Sequence, residues 1–289
     1  MKEYPKISII TPSYNQGQYL EETILSVIGQ NYPNLEYIII DGGSSDNSVE
    51  IIKRYEKHLA YWTSEKDNGQ SVAINKGFKL ASGDILGWLN SDDMYLPGAL
   101  YYVASYLDIY KPELIFGNCL HFNETSNRWW GSNVKIKHEV SNIFLCDYII
   151  QPSSFLTKKM FLINGLLDEN LTYAFDWDWY IRAKKANVNF KAHTKYLSIY
   201  RIHKAHKSAT GGEMRLKELS LIYKKYLESK YEELFLKFCD HNSNINLARK
   251  VISQCKLKRL EIEILKFIFP KSLSSFSNNE ISDVLSMTY

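Results

Sequence analysis

A chain of 289 residues with a formal charge of +3, 45% hydrophobic and 23% charged residues has room for a core domain plus an appendage. No stretch approaches the roughly 18 apolar residues that a spanning helix needs, and Met1 to Pro5 leads into a strand-like run rather than a secretion signal. Cys119, Cys146, Cys239 and Cys255 are far apart with no C-x-x-C pair. Neither a zinc site nor a disulfide framework is indicated, and a reduced, cytoplasmic protein is expected. Between Glu213 and Pro270 twelve Lys/Arg face eight Asp/Glu, so this tail carries +4 and the remainder about −1. A basic tail on a near-neutral body argues against a nucleic-acid-binding core.

The first hundred residues alternate as a parallel sheet demands. Ile7 to Thr11 is a β-branched run, followed by the polar loop Pro12 to Gly17. A helix follows with Leu20, Ile24, Val27 and Ile28 on its apolar face. Leu35 to Ile40 reads as a second strand ending at Asp41, with Gly42-Gly43-Ser44-Ser45-Asp46 as a loop and Ser48 to Lys57 as a helix. A short strand near Leu59 to Thr63, a helix over Ser71 to Ala81 and the strand Ile85 to Leu89 complete the series. Repeated strand–helix units imply right-handed crossovers and a parallel α/β sheet.

From about Asp108 to Ser208 the pattern is more irregular. It holds a strand at Leu114 to Phe116, a polar aromatic loop around Trp129-Trp130, the segment Gln151-Pro152-Ser153 and a helix from about Asp176. From Glu213 to Phe269 the pattern is helical, with Leu216, Leu219, Ile222, Tyr223 and Tyr226 as one stripe and Leu260, Ile264, Phe267 and Ile268 as another.

Four polar clusters fall at carboxyl ends of predicted strands, the edge where open α/β sheets bind ligands. They are Thr11-Pro12-Ser13-Tyr14-Asn15, Asp41 to Asp46, Asp67-Asn68-Gly69 and Asn90-Ser91-Asp92-Asp93. Gly42 and Gly43 would let the backbone approach a ligand closely. Asp41 could accept from a nucleobase N–H or a ribose hydroxyl, and Tyr14 offers an aromatic face. Taken singly, each loop is also explained as an ordinary strand-to-helix connection, with Asp46 or Ser48 capping a helix. Asp92 and Asp93 are expensive to bury without a compensator, and the natural ones are a hard divalent cation and the phosphates it neutralises.

The stretches IIIDGGSSD, SEKDNGQSVAINKGF, ASGDILGWLNSDD, QPSSF, AFDWDWYIRA and YRIHKAHKSA resemble the family 2 inverting glycosyltransferases over about residues 6 to 208. The resemblance implies a GT-A fold: an α/β, Rossmann-like, mostly parallel central sheet flanked by helices, here with a C-terminal helical extension. It divides the chain into a catalytic domain at 1–212, with a nucleotide-binding half to about 100 and an acceptor-binding half from 101, and an extension at 213–289. It implies transfer of a sugar from a UDP- or dTDP-sugar to a glycan or lipid-linked acceptor in cell-surface polysaccharide or glycoconjugate synthesis.

Carried onto this sequence, the resemblance places Thr11, Pro12, Tyr14, Asn15, Asp41, Gly43, Asp67, Lys76, Asn90, Ser91 and Asp92 around the nucleotide sugar. Lys76 reaches a phosphate on this reading, or else pairs with a carboxylate. Asp92 and Asp93 stand in for the aspartate-x-aspartate motif that holds Mn²⁺ or Mg²⁺, with Asn90 in the motif's first position. Asp93 is expected as the direct ligand, Asp92 as a second ligand or a ribose contact, and His203 as completing the metal site. Asp176 matches the general base, with Phe175 where the family often has Glu. Gln151, Trp177 and Asp178 fall on the acceptor side, and Arg182 is expected to pair with Asp178. His206 and Lys207 are candidates for diphosphate contacts beside the flexible pair Gly211-Gly212. Trp129, Trp130, Trp177 and Trp179 could stack on an acceptor sugar or belong to the core.

Other classes fare worse. A catalytically silent nucleotide-sugar-binding or scaffold subunit should lack the base or the metal residues. A nucleotidyltransferase should have a Gly-rich basic first loop, and a dehydrogenase should show G-x-G-x-x-G after the first strand, which is absent. The basic tail has two readings: apolar stripes packing on the catalytic domain or in a homodimer, or a peripheral contact with the anionic inner face of the cell membrane.

Overall fold

A computed structural model describes residues 4–204, 207, 211–242, 245–246, 249 and 260–288. The chain gathers into two compact units, Met1–Ile136 with Ile149–Thr210, and Lys137–Tyr148 with Gly211–Tyr289.

In the first unit the expected alternation is present: β1 (Ile7–Ser13), α1 (Gly17–Ile28), β2 (Leu35–Asp41), α2 (Ser48–Arg54), β3 (Tyr61–Ser64), α3 (Gln70–Leu80) and β4 (Ile85–Trp88). Every residue of β1 is buried, because it lies between β2 and β4, parallel to both. That central position accounts for its unbroken β-branched run. Helix α1 turns Leu20, Ile24 and Val27 inward. Helix α3 approaches β1 so closely that a Cβ on Gly77 would lie 2.4 Å from Cγ2 of Ile10. The helix expected over Ser48 to Lys57 stops at Arg54 and gives way to a tight turn at Glu56–His58.

The second half of this unit is more regular than its sequence suggests. It contains β5 (Met94–Tyr95), α4 (Ala99–Tyr106), β6 (Glu113–Asn123), β7 (Arg128–Gly131), the first residues of α5 (Val134–Val140), β8 (Ser154–Thr157), α6 (Lys158–Asn164), α7 (Phe175–Lys185) and β9 (Asn189–Ile202). Trp129 and Trp130, expected in a loop, lie in β7, which pairs antiparallel with β6. The nine described strands form one mixed sheet in the order β3-β2-β1-β4-β8-β6-β9-β5, with β7 on β6. The pairings β3–β2–β1–β4 and β6–β9 are parallel, whereas β8, β5 and β7 run against their neighbours. The result is an α/β sheet flanked by helices. Its core holds Ile7, Ile9, Ile39, Ile85, Phe155 and Leu197, with Leu20 and Ile24 of α1 packed on it.

The second unit is helical: α8 (Gly212–Tyr226), α9 (Ser229–Asp240), α10 (Glu261–Ile268), α11 (Pro270–Leu273) and α12 (Asn278–Ser286). The first expected stripe holds, with Leu219, Ile222 and Tyr223 buried. Tyr223 packs 5.1 Å from Phe235 of α9 and donates to the Leu145 carbonyl at 2.5 Å. The second stripe needs correcting: Leu260 and Phe267 are exposed, Ile264 is half-buried, and Leu265, outside the expected stripe, is buried, while the side chain of Ile268 lies outside those described. Helix α12 opens with a reciprocal capping box between Ser277 and Glu280.

Candidate active site

The carboxyl ends of β1, β2 and β4, the loops after β3 and β4, and the start of α7 enclose a cavity of about 610 Å³. Of the expected residues, Pro12, Tyr14, Gly43, Asp67, Asn90, Ser91, Asp92, Asp93, Gln151 and Asp176 line it. So does Lys207, whereas His206 lies outside the described residues.

The loop after β2 is built around Asp41. Its carboxylate is buried and accepts from the Gly43 and Ser44 N–H groups, from Ser44 Oγ at 2.6 Å and from Ser64 Oγ at 2.7 Å. These bonds make Asp41 the anchor of the loop that presents Gly42 and Gly43, and it lies behind the residues that line the cavity. Gly43 has φ of +80°, a conformation that favours glycine. A Cβ on Gly42 would lie 3.1 Å from both carboxylate oxygens of Asp67. Asn15 is likewise structural, since its Oδ1 accepts from the Ser45 N–H at 2.8 Å. Thr11 is buried against the Tyr37 hydroxyl at 3.0 Å. Lys76 pairs with Glu65 at 2.8 Å, which holds the Glu65 carboxyl below the usual carboxylate range. Asp46 bridges the starts of two helices, accepting the Gly17 N–H of α1 at 2.8 Å and the Ser48 N–H of α2 at 3.0 Å.

The turn after β4 is pinned from beneath by Thr23 of α1. Its hydroxyl meets the carbonyls of Ser91 at 3.0 Å and Asp93 at 2.7 Å. Asn90 accepts from Gln70 at 2.7 Å and donates to Gln151 at 3.2 Å, while Gln151 donates to the Trp88 carbonyl at 2.7 Å. Gln70 also accepts from Lys207 at 2.7 Å. This amide chain fixes Lys207 at the cavity wall.

The two acids of the turn differ. Asp93 is 1% exposed, and its Oδ1 accepts the Arg201 N–H at 3.0 Å. Burial, reinforced by the neighbouring Asp92 charge, pushes its carboxyl well above the ordinary range. Asp92 instead places Oδ2 3.0 Å from Nε2 of His203. A carboxylate oxygen and an imidazole nitrogen together suit a divalent cation of the Mn²⁺ or Mg²⁺ type. They form a pair rather than a cage, for among the described residues no three His, Cys, Asp or Glu side chains converge as a metal cluster. Diphosphate oxygens and water could complete such a site.

Arg201 was not anticipated. It is buried, donates to the Asp92 carbonyl at 3.1 Å, pairs with Glu22 and Glu124, and lies 4.7 Å from the Tyr19 ring. Tyr19 in turn packs 4.7 Å from the His203 ring. Burial and its hydrogen bond to Glu124 push the Tyr19 hydroxyl up to about 12. Arg201 sits two residues before His203 on β9, so the polar pattern of Tyr200-Arg201-Ile202-His203 was the available signal. For Thr23 the signal was a hydroxyl on an otherwise apolar helical face.

Helix α7 carries Asp176 in its first turn, where the helix dipole favours a carboxylate. Asp178, expected near the acceptor, is buried and bound to Arg182 at 2.9 Å. Arg182 also donates to the Asn164 and Leu166 carbonyls. Trp177 and Trp179 are fully buried, so neither offers a face to a sugar; both serve the core. The loop before α7 is held by Asn75, which donates to the Leu167 carbonyl at 3.0 Å and to Glu169 at 2.9 Å and accepts the Leu167 N–H at 2.9 Å.

Strand order and the gathering of polar clusters at one sheet edge define a GT-A glycosyltransferase fold. The chain belongs to glycosyl transferase family 2, whose family model matches residues 8–184. It is 28% identical over 252 residues to an uncharacterized glycosyltransferase of Rickettsia typhi, covering 82% of this chain and 77% of that protein. It is 41% identical over 96 residues to TuaG of Bacillus subtilis, assigned provisionally to teichuronic acid biosynthesis; that match covers 32% of this chain and 37% of TuaG. In structure it resembles S. aureus TarS 1–349 in complex with UDP-GlcNAc, with a TM-score of 0.62 at 16% identity over 98% of this chain and 90% of that one. It also resembles the mannosyltransferase PcManGT of Pyrobaculum calidifontis in complex with GDP-Man and Mn²⁺, with a TM-score of 0.59 at 15% identity, over 78% of this chain and 64% of that one. No helix among the described residues is long and apolar enough to cross a membrane.

Proposed function

We propose that this glycosyltransferase moves a sugar, with inversion, from a UDP- or dTDP-sugar to a hydroxyl of a glycan or lipid-linked acceptor in cell-surface polysaccharide synthesis. The observation that carries the reading is one cavity lined at once by the strand-tip clusters, by Asp92 and by Asp176 from a separate helix. Direct displacement needs a carboxylate to take the acceptor proton as its oxygen forms a bond to the anomeric carbon. The bond from that carbon to the diphosphate oxygen breaks, and the nucleoside diphosphate leaves with the electron pair. Asp176 is the base on this reading, and Lys207 meets the diphosphate. Asp92 and His203 are the residues that would hold Mn²⁺ or Mg²⁺, which when bound offsets charge on the leaving group. Asp93, tied to the Arg201 N–H, then positions Asp92 rather than serving as the direct ligand.

The site reads as a catalytic core in 1–212, with 213–289 as its helical extension. TarS, solved with UDP-GlcNAc, supports a uridine donor, and PcManGT, solved with Mn²⁺, supports a metal. The test is release of nucleoside diphosphate from a panel of UDP- and dTDP-sugars, with Mn²⁺ and with EDTA. Turnover dependent on metal and lost in Asp176→Asn is expected. Turnover equal with and without EDTA sinks the metal role.

A further inference from the structure

Strands β6, β7 and β9 carry a row of rings that the transfer site does not use. Trp130 of β7 stands opposite His121 of β6, and His121 stands beside Tyr200 of β9 in register. The Trp130 and His121 rings are nearly parallel, 6° apart with centroids at 5.2 Å, and His121 meets Tyr200 edge-on at 5.6 Å. Tyr200 lines the cavity, while Trp130 at the far end is 45% exposed. The row thus runs outward from the candidate active site across two strand spacings, about 10 Å.

Side chains alternate across a strand, so Trp129 lies on the other face, stacked on Phe122 at 4.3 Å. The hairpin is well anchored. Ser132 donates through its N–H to the Cys119 carbonyl at 3.0 Å and accepts the Cys119 N–H on its hydroxyl at 2.8 Å. Burial holds the His121 imidazole below its usual range, so the row is uncharged at neutral pH.

We propose that the Tyr200–His121–Trp130 row is an acceptor-chain subsite that holds pyranose rings of a glycan beyond the sugar receiving the transfer. It follows that the acceptor is an oligosaccharide or polysaccharide chain, not a single sugar or a bare lipid headgroup. The inference rests on the transfer reading, which makes the cavity the point of chain growth. Continuity with that cavity selects a glycan as occupant. Sugar rings present flat C–H faces to aromatic planes, and an uncharged row of amphipathic rings accepts them in several registers.

The test uses the full chain with UDP and Mn²⁺, titrated with cello-, manno- and chito-oligosaccharides of one to six units by calorimetry. Affinity should rise with chain length in at least one series. Trp130→Ala should weaken the longer ligand about three- to tenfold, Trp130→Phe should retain most of it, and Trp129→Ala should leave it unchanged. No binding by any oligosaccharide, equal affinity for one unit and for longer chains, or equal loss in Trp129→Ala overturns the subsite. A change in self-association on Trp130→Ala without change in glycan affinity also overturns it, pointing to strand addition at the β7 edge. UDP affinity measured in the same samples separates the two readings: its absence sinks the transfer reading, whereas intact UDP binding without length dependence sinks the subsite alone.

Discussion

Nε2 of His203 lies 3.0 Å from Oδ2 of Asp92, joining the end of β9 to the turn after β4 across 111 residues of sequence. On the reading proposed above, Asp92 and His203, rather than the buried carboxylate of Asp93, are the residues that would hold a divalent cation. Asp92→Asn and His203→Ala should each lower Mn²⁺-stimulated turnover about 10- to 100-fold, as loss of a ligand or its support does in metal sites. Titrating Mn²⁺ against initial rate checks this. Asp93→Asn should instead raise the Mn²⁺ requirement only modestly, because an amide Oδ1 can still receive the Arg201 N–H.

Asp176 stands in the first turn of α7, half-buried at the cavity wall. Its replacement by Asn keeps the size and removes the carboxylate proposed as the base. Transfer should fall about 10²- to 10⁴-fold, with UDP affinity changed no more than about twofold, a difference of under half a kcal/mol. Stopped assays of glycan product beside calorimetric titration of UDP separate these outcomes. Loss of UDP binding in the variant would assign Asp176 a structural role.

The first hundred residues were legible because each signal there is local. A buried parallel strand shows as an unbroken β-branched run, and its ligand edge shows as polar residues at the strand tip. What sequence could not separate was which polar residues face the ligand and which fold the loop that faces it. Asp41, Asn15 and Lys76 meet neighbouring N–H groups or carboxylates, contacts that arise only once the chain has folded. Strand β9 was missed for a different reason. Its sequence NFKAHTKYLSIYRI mixes charge with apolar residues, since most of it is half-buried or exposed. Its partners β6 and β5 come from distant sequence, as do the Glu22, Asp92 and Glu124 partners of Arg201.

Glu36 on β2 gathers Ser8 Oγ at 2.5 Å, the Ser82 N–H at 2.7 Å, Ser82 Oγ at 2.6 Å and Lys6 at 2.6 Å. Burial alone would raise its pKa, but these donors outweigh burial and hold it at about 2, against 4.5 when unfolded. A depressed carboxyl stabilises the fold fully above the unfolded value and loses that contribution as pH falls through the folded one. With Lys6 partly exposed the contribution is about 1–3 kcal/mol. Glu36→Gln should therefore be less stable than the parent at pH 7. The gap should close as pH falls from about 4.5 to 2, as followed by urea denaturation across that window; a gap independent of pH rules out the ionic origin.

Asn75 of α3 holds the segment that leads into α7, exchanging two hydrogen bonds with Leu167 and giving a third to Glu169. It is 1% exposed, so truncation leaves the Leu167 N–H and carbonyl without their partner. Each buried orphan costs about 1–3 kcal/mol, and Asn75→Ala should lower the unfolding temperature by about 2–4 °C for each kcal/mol lost. The segment it frees ends at Tyr173, Phe175 and Asp176, all on the cavity wall, whereas the clusters proposed to meet the nucleotide are carried by β1, β2 and β4. Turnover should consequently fall more than UDP affinity does. Asn75→Asp keeps the acceptor toward the Leu167 N–H but loses both donors, and it places a carboxylate beside Glu169. If α7 is positioned through this contact, that variant should lose turnover at neutral pH and recover part of it as acid protonates the new carboxyl. A pH profile no different from that of the parent would show that Asn75 stabilises the fold without placing Asp176.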